Sequence, residues 1–268
     1  MLQKAGSPAF FLWQHAPCAR ASVHTMAIAL FTDFGASDLY IGQVKAVLDR
    51  EAPGLAVIDL LNEAPACNVR ASAHLLAALV PWLPQGTVFF AVVDPTVGGA
   101  RVPLVLEADG YRFVGPDNGL LSVWCARAAR VELFRIAWTP ERLTPSFHGR
   151  DLFAPIAARL ATDRLRADDL VRVQSLEVDF GADDLSEIIY VDHYGNAVTG
   201  LRTCAVSEQC AIETGSRRLS YARVFGEVAQ GEAFWYFNSQ GLAEIAVNRG
   251  NAAAQLRLAI GDSVRVVR

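Results

Sequence analysis

The chain has 268 residues, of which 52% are hydrophobic and 19% charged, and its formal net charge is -4. This composition excludes a largely disordered chain, and the acidic balance argues against a general nucleic-acid binder, which needs a basic surface to displace counterions. No apolar run approaches the ~20 residues that span a bilayer, and five cysteines without a CxxC pair make neither a disulfide framework nor a zinc ribbon, so a reducing cytoplasm is expected.

Residues 1–25 differ in texture from the rest of the chain. Residues 9–13 are apolar but shorter than the ~7–15-residue core of a signal peptide. Met26 stands directly before a strand-like run, so 1–25 is expected to be an extension ahead of the folded unit. Buried strands are predicted at 27–31, 55–60 and 87–93. Between them lie a helix at 39–50, with Ile41, Val44, Val47 and Leu48 at helical spacing, and an Ala/Leu-rich helix at 69–83. Short strands are expected at 102–107, 111–114 and 131–136, and helices at 118–127 and 151–162. The alternation predicts an α/β domain over 26–172, a mostly parallel sheet covered by helices. Residues 173–185 are polar and acidic and read as a linker. From 186 to 268, short β-like runs at 187–192, 197–201, 210–213, 234–237, 242–247 and 263–267 alternate with Gly, Asn and Asp turns, without a convincing helix. They predict a small all-β barrel domain.

Ligands of open parallel sheets bind beyond the carboxyl ends of the strands. The loops there carry Thr32-Asp33-Phe34-Gly35 with Asp38, Asp94 to Arg101, Gly115-Pro116-Asp117-Asn118-Gly119, and Ser146-Phe147-His148-Gly149-Arg150-Asp151. Each alone reads equally as a helix cap or turn; their coincidence on one sheet edge points to a site. The β region adds Asp192-His193-Tyr194-Gly195-Asn196 and Asn238-Ser239-Gln240-Gly241, which are two hairpin turns or a set of small polar groups for a zwitterion or heterocycle. There is no phosphate-binding loop, no GxGxxG after the first strand, no GxSxG elbow and no HExxH. Neither a metal nor a covalent serine is expected.

These motifs, in this order from about residue 26 to the end, resemble the S-adenosyl-L-methionine hydroxide adenosyltransferases, relatives of the fluorinase and chlorinase enzymes. The resemblance implies a homotrimer with each active site between the first domain of one subunit and the second domain of its neighbour. It also implies hydrolysis of S-adenosyl-L-methionine, the sole small-molecule partner and a substrate rather than a cofactor, to adenosine and methionine by attack at the ribose 5′ carbon. The implied catalytic triad is Asp94, Arg101 and His148. Asp33 would grip the ribose hydroxyls, Asp192 the methionine ammonium and Ser239 its carboxylate. Asn196, Tyr194, Tyr221 and the backbone at Asn248 and Arg249 would meet adenine, with Asp38 and Asn118 supporting. The fluorinase has Tyr at the position of Asp94, and a carboxylate there disfavours a halide. Thr96 and Gly99 depart from the family's Asp-Pro-Gly-Val-Gly-Thr loop, and Gln240 stands where the fluorinase has Arg. If position 96 needs positive φ, Thr96 strains the loop that presents Asp94. Two other readings remain open: a non-catalytic protein that binds S-adenosylmethionine or adenosine, and a halide-using relative.

Overall fold

The structure is a computed structural model describing residues 27–268; the extension expected at 1–25, and Met26, lie outside the described residues. Strand β1 (Ala27–Thr32) is central because both its faces are apolar. Ile28 and Leu30 enter one core, Ala29 and Phe31 the other. It pairs in parallel with β2 (Ala56–Leu61) and β3 (Val88–Val92). β3 runs parallel to β5 (Tyr111–Pro116), which forms a hairpin with β4 (Pro103–Ala108). Asp109 and Gly110, at φ 49° and 85°, make that turn; an Asp-Gly pair is suited to two positive φ angles. β6 (Val131–Ile136) and β7 (Leu170–Val173) extend the antiparallel side. The order is β2-β1-β3-β5-β4-β6-β7, and only β4 and β7 run against the other five strands. The parallel direction dominates, as the alternation implied. β7 is an edge strand of four half-exposed residues, too short to leave a period-2 signal.

Helices cover both faces. α1 (Leu39–Glu51) buries Ile41, Val44, Val47 and Leu48, and packs with α4 (Ala154–Ala161) over one face. α2 (Val69–Leu79), capped by Asn68, and α3 (Ser122–Arg127) cover the other. Three helices differ from expectation. α2 ends at Leu79, and Pro81 follows in a tighter turn, Val80–Trp82. α3 starts at Ser122 rather than 118, because Gly119 at φ 98° belongs to the preceding turn. Ahead of α4, Gly149–Phe153 is a π-helical turn directly after His148.

No regular element occupies 174–184, yet this segment is fastened to the sheet region. The Glu177 amide donates to Asp117 Oδ2 at 3.0 Å, the Phe180 amide to Ser122 Oγ at 3.1 Å, and Arg127 to the carbonyls of Ala182 and Asp183.

The C-terminal β region has a four-stranded antiparallel sheet: β12 (Ala233–Phe237), β13 (Leu242–Val247), β9 (Ala197–Arg202) and β8 (Leu185–Val191). A second sheet holds β11 (Arg217–Leu219), β10 (Ala211–Thr214) and β14 (Arg265–Val267). Single bridges, Glu187 to Ser263 and Tyr221 to Trp235, join the sheets at both seams and close a barrel. Its core is built on Trp235, Ile188, Ile212 and Ile245, with the Trp235 indole N–H donating to the Cys210 carbonyl at 3.1 Å. A five-residue helix, α5 (Ala252–Leu256), lies where no helix was expected; Asn251 caps it. Leu185, Ile189, Val198 and Leu242 share a core with α2, so the barrel is welded to the sheet through that helix. No helix among the described residues is long and apolar enough to cross a membrane.

Candidate active site

Asp94 lies just beyond β3, Arg101 at the far end of the same loop, and His148 just before the π-turn. The fold brings all three together. Arg101 Nε and Nη2 both donate to Oδ2 of Asp94, at 2.8 and 2.5 Å, and Nη2 also lies 3.0 Å from Nδ1 of His148. The Arg101 and Asp94 side chains are 8% and 4% exposed, so solvent hardly screens the pair. The Phe153 ring lies beneath the guanidinium at 5.2 Å. A guanidinium has no acceptor, so Nδ1 of His148 accepts, and the neutral ring carries its proton on Nε2. Burial, then the Arg101 charge, pushes the His148 pKa below its ordinary value; the nearby carboxylates of Asp94 and Asp151 only partly oppose this.

Asp94 and His148, with Asp33, Phe34, Val92, Val97, Ser146, Phe147 and Gly149, line a recess of about 60 Å³. A water needs ~15 Å³ and a small-molecule site ~300 Å³ or more. The recess therefore suits a water-sized nucleophile and cannot hold a nucleoside. Asp33 follows β1 and accepts the Cys67 amide at 3.0 Å through Oδ2. Burial, together with the Asp94 charge, pushes its pKa up against that hydrogen bond. Asn118 donates to the carbonyl of Val93, one residue before Asp94, at 2.9 Å, and accepts the Leu120 amide, tying the end of β3 to the 115–120 turn. Asp38 accepts the Leu39 amide and serves as the N-cap of α1.

Position 96 is not at positive φ; Gly98 is, at 80°. A Cβ on Gly98 would stand 2.5 Å from the Pro145 carbonyl, in the segment that leads to His148. Thr96 is therefore unstrained, and its hydroxyl lies 3.3 Å from Oδ1 of Asp94. Asp117, at the same sheet edge, turns away to hold the backbone of 177–178. Arg150 braces Asp151 and the Phe147 ring. Burial pushes the Asp151 carboxyl up, but hydrogen bonds from Arg150 and Thr144 outweigh it and hold the pKa down at about 2.

The barrel residues form a second group. Asp192 Oδ1 accepts the amides of Tyr194 and Asn196, and its Oδ2 accepts the Asn196 side chain at 3.0 Å. Gly195, at φ 82°, is required, since a Cβ there would overlap the Asn251 side chain that caps α5. Asp192, Tyr194, Asn196 and Arg249, with Phe225 and Tyr236, line a cavity of about 540 Å³. Ser239 and Asp192 line an adjoining cavity of about 480 Å³ with Asn238, Gln240, Glu244 and the leucines of β2 and α2. One expected residue lies elsewhere: Tyr221 packs on Trp235 and Phe237 and donates to Glu208. The Asn248 side chain donates to the Val228 carbonyl, and the expectation at that position concerned its backbone. The rings at the larger cavity are Tyr194, Phe225 and Tyr236 instead. The residue that motif reasoning missed is Glu244, buried in β13; its one signal was a carboxylate inside the apolar run LAEIAV.

The recess at Asp94 and the barrel cavities are thus separate in one chain. Among the described residues, no group of three or more His, Cys, Asp or Glu side chains stands ready to hold a metal ion.

Comparison with known proteins matches this division. The family profile described as SAM hydroxide adenosyltransferase N-terminal domain matches residues 28–170, and that of the C-terminal domain matches 186–265. A relative named (R)-S-adenosyl-L-methionine hydrolase from Thermus thermophilus is 39% identical over 260 residues, covering 90% of this chain and 99% of the relative. One of the same name from Salinispora arenicola is 39% identical over 256 residues, covering 89% and 97%. A crystal structure of an uncharacterized conserved protein from Thermotoga maritima superposes with a TM-score of 0.81 at 32% identity, covering 90% of this chain and all of that one. With both profiles matched in order and two relatives aligned over nearly their full length, the chain belongs to the SAM hydroxide adenosyltransferase family.

Proposed function

We propose that this protein is an enzyme that hydrolyses S-adenosyl-L-methionine to adenosine and L-methionine. The observation that carries the mechanism is Asp94 and His148 facing a recess of water-sized volume, with Arg101 in contact with both side chains. Water attacks the ribose 5′ carbon in line with the sulfonium. The C5′–O bond forms as the C5′–S bond breaks, and the electron pair stays on sulfur, which leaves as the neutral thioether of methionine. The sulfonium needs no help to leave, so the protein's task is alignment at near-attack distance and acceptance of one proton. Arg101 occupies one oxygen of Asp94, and the other, Oδ1, is left to take the proton from water. His148, with Nδ1 engaged, presents Nε2–H as a donor that orients the water oxygen. This assigns the base to Asp94 and the orienting role to His148. The same carboxylate opposes a halide in the recess.

Asp33 is suited to the ribose hydroxyls, since a carboxylate can accept two hydroxyl hydrogen bonds. Asp192 and Ser239 would take the methionine end, and Asn196, Tyr194 and Arg249 the adenine end. On this reading a second copy of the chain completes a site with both halves, and a homotrimer with sites between subunits fits it. Leu39 and Tyr40 are 63% and 41% exposed, and the Tyr40 ring packs beside Phe34 and Phe147; this apolar rim is one that a neighbouring subunit would cover. The R prefix in the relatives' names designates the configuration at sulfur, and the R epimer is proposed as the preferred substrate here too. The described cysteines are free, in keeping with a reducing cytoplasm.

The test is incubation with each sulfonium epimer of S-adenosylmethionine in halide-free, ¹⁸O-labelled water. The expected result is adenosine labelled at the 5′ hydroxyl plus equimolar methionine. Intact substrate, with and without chloride, would overturn the proposal.

A further inference from the structure

Strand β13 is buried at every position, yet its third residue is a carboxylate: Glu244 is 4% exposed. Burying a carboxylate costs several kcal/mol unless hydrogen bonds replace water. Here the partners are neutral donors. The Tyr236 hydroxyl donates to Oε1 at 2.5 Å and the Asn238 amide to Oε2 at 2.7 Å, and the Asn196 side chain is a third hydrogen-bond partner. Each amide passes the contact on. Asn238 Oδ1 accepts the backbone amides of Gln240 and Leu242, both at 3.0 Å, and so closes the turn that carries Ser239. Asn196 donates to Asp192 Oδ2 and so closes the turn that carries Tyr194.

The sheet explains why one residue reaches both turns. β13 lies between β12 and β9; Glu244 is paired with Tyr236 on one side and Val198 on the other. β12 feeds the 238–241 turn, and β9 issues from the 192–196 turn. We infer that Glu244 is the positioning residue that holds these two substrate-facing turns of the barrel in one register. It works through Asn238, Asn196 and Tyr236. Its kinetic consequence rests on the proposed hydrolysis, whereas its structural consequence does not. A Leu at 244 would suit the strand better, so the retained carboxylate stabilises the turns at the expense of the core.

The experiment compares full-length wild type with Glu244→Gln and Glu244→Ala by residue-resolved hydrogen exchange and steady-state kinetics. In Glu244→Ala, the amides of Asn196, Gln240 and Leu242 are expected to exchange at least about tenfold faster, with those of β1 and β3 unchanged. KM for S-adenosylmethionine is expected to rise about tenfold with kcat within about threefold, because binding contacts common to ground and transition states are loosened. Glu244→Gln keeps one acceptor and falls between. Unchanged exchange at both turns would overturn the inference. So would loss spread evenly through the barrel with KM unaltered, which marks mere support of the fold. If wild type leaves S-adenosylmethionine intact, the hydrolytic proposal falls while the exchange pattern still decides the role of Glu244.

Discussion

Nη2 of Arg101 lies 3.0 Å from Nδ1 of His148, and this contact sets the tautomer of the imidazole. Protonating Nδ1 would aim an N–H at a guanidinium. The ring is therefore held neutral, with its pKa below the ordinary 6.5, by burial first and by the Arg101 charge second. The folded protein binds this proton more weakly than the unfolded chain. The associated stability is full above pH 6.5 and is lost as the pH falls below it. The acid limb of kcat/KM is expected below pH 6.5. An NMR titration of His148 checks the cause, since Arg101→Gln should move its midpoint upward. A midpoint at or above the ordinary value in wild type would contradict the neutral ring.

Asp94 and Asp33 should fail differently. Asp94→Asn removes the proton acceptor and keeps the shape, so kcat should fall by about 10²–10⁴-fold while substrate still binds. Asp33→Ala removes charge-assisted hydrogen bonds that ground and transition states share, so KM should rise about 10–100-fold with kcat less changed. Steady-state rates with a separate calorimetric titration tell the two apart. Asp94→Asn with wild-type turnover would remove Asp94 from the mechanism.

Thr96 reaches Asp94 Oδ1 at 3.3 Å, a long hydrogen bond at the oxygen assigned to take the proton. A neutral hydrogen bond contributes ~0.5–1.5 kcal/mol, so Thr96→Val should lower kcat by less than about tenfold and Thr96→Ser should restore it. A loss as large as that of Asp94→Asn would make the hydroxyl part of the proton path.

The sequence made the sheet side of the site legible because its chemistry is local. Asp33 and Asp94 sit just past strand ends and His148 just before a helical segment, and an α/β alternation tells where those loops converge. The barrel side was less legible, because it depends on register across strands. Nothing in the order of residues says that Tyr221 packs inward on Trp235 while Phe225 reaches the cavity. The concern over Thr96 came from assigning positive φ to the wrong member of the loop; backbone conformation two residues away, at Gly98, was not readable from composition. Glu244 was visible only as an oddity, a carboxylate in an apolar strand.

Gly98 combines φ 80° with a 2.5 Å approach of its missing Cβ to the Pro145 carbonyl. Gly98→Ala should cost about 1–3 kcal/mol and lower Tm by several degrees. It should also reduce kcat, since the same loop carries Asp94 and Arg101. Calorimetry together with turnover checks both; an alanine variant with wild-type Tm would show that the 94–101 loop relaxes freely.

The separation of the recess at Asp94 from the barrel cavities makes the last prediction. Suppose each active site takes its sheet half from one subunit and its barrel half from a neighbour. Asp94→Ala then spoils one half of every site and Asp192→Ala the other, and each homomeric variant is inactive. In assemblies co-expressed at equal ratio, a site is intact when its sheet half comes from the Asp192→Ala chain and its barrel half from the Asp94→Ala chain. With random assembly that holds for about a quarter of the sites. Co-expression with two affinity tags and purification through both enriches mixed assemblies and raises the fraction further. A site contained within one chain has no such combination, because every chain carries one defect, so mixed assemblies would stay as inactive as either variant alone. Recovery near a quarter of wild-type turnover places the reaction between subunits, and no recovery from mixed assemblies of verified composition returns it to a single chain.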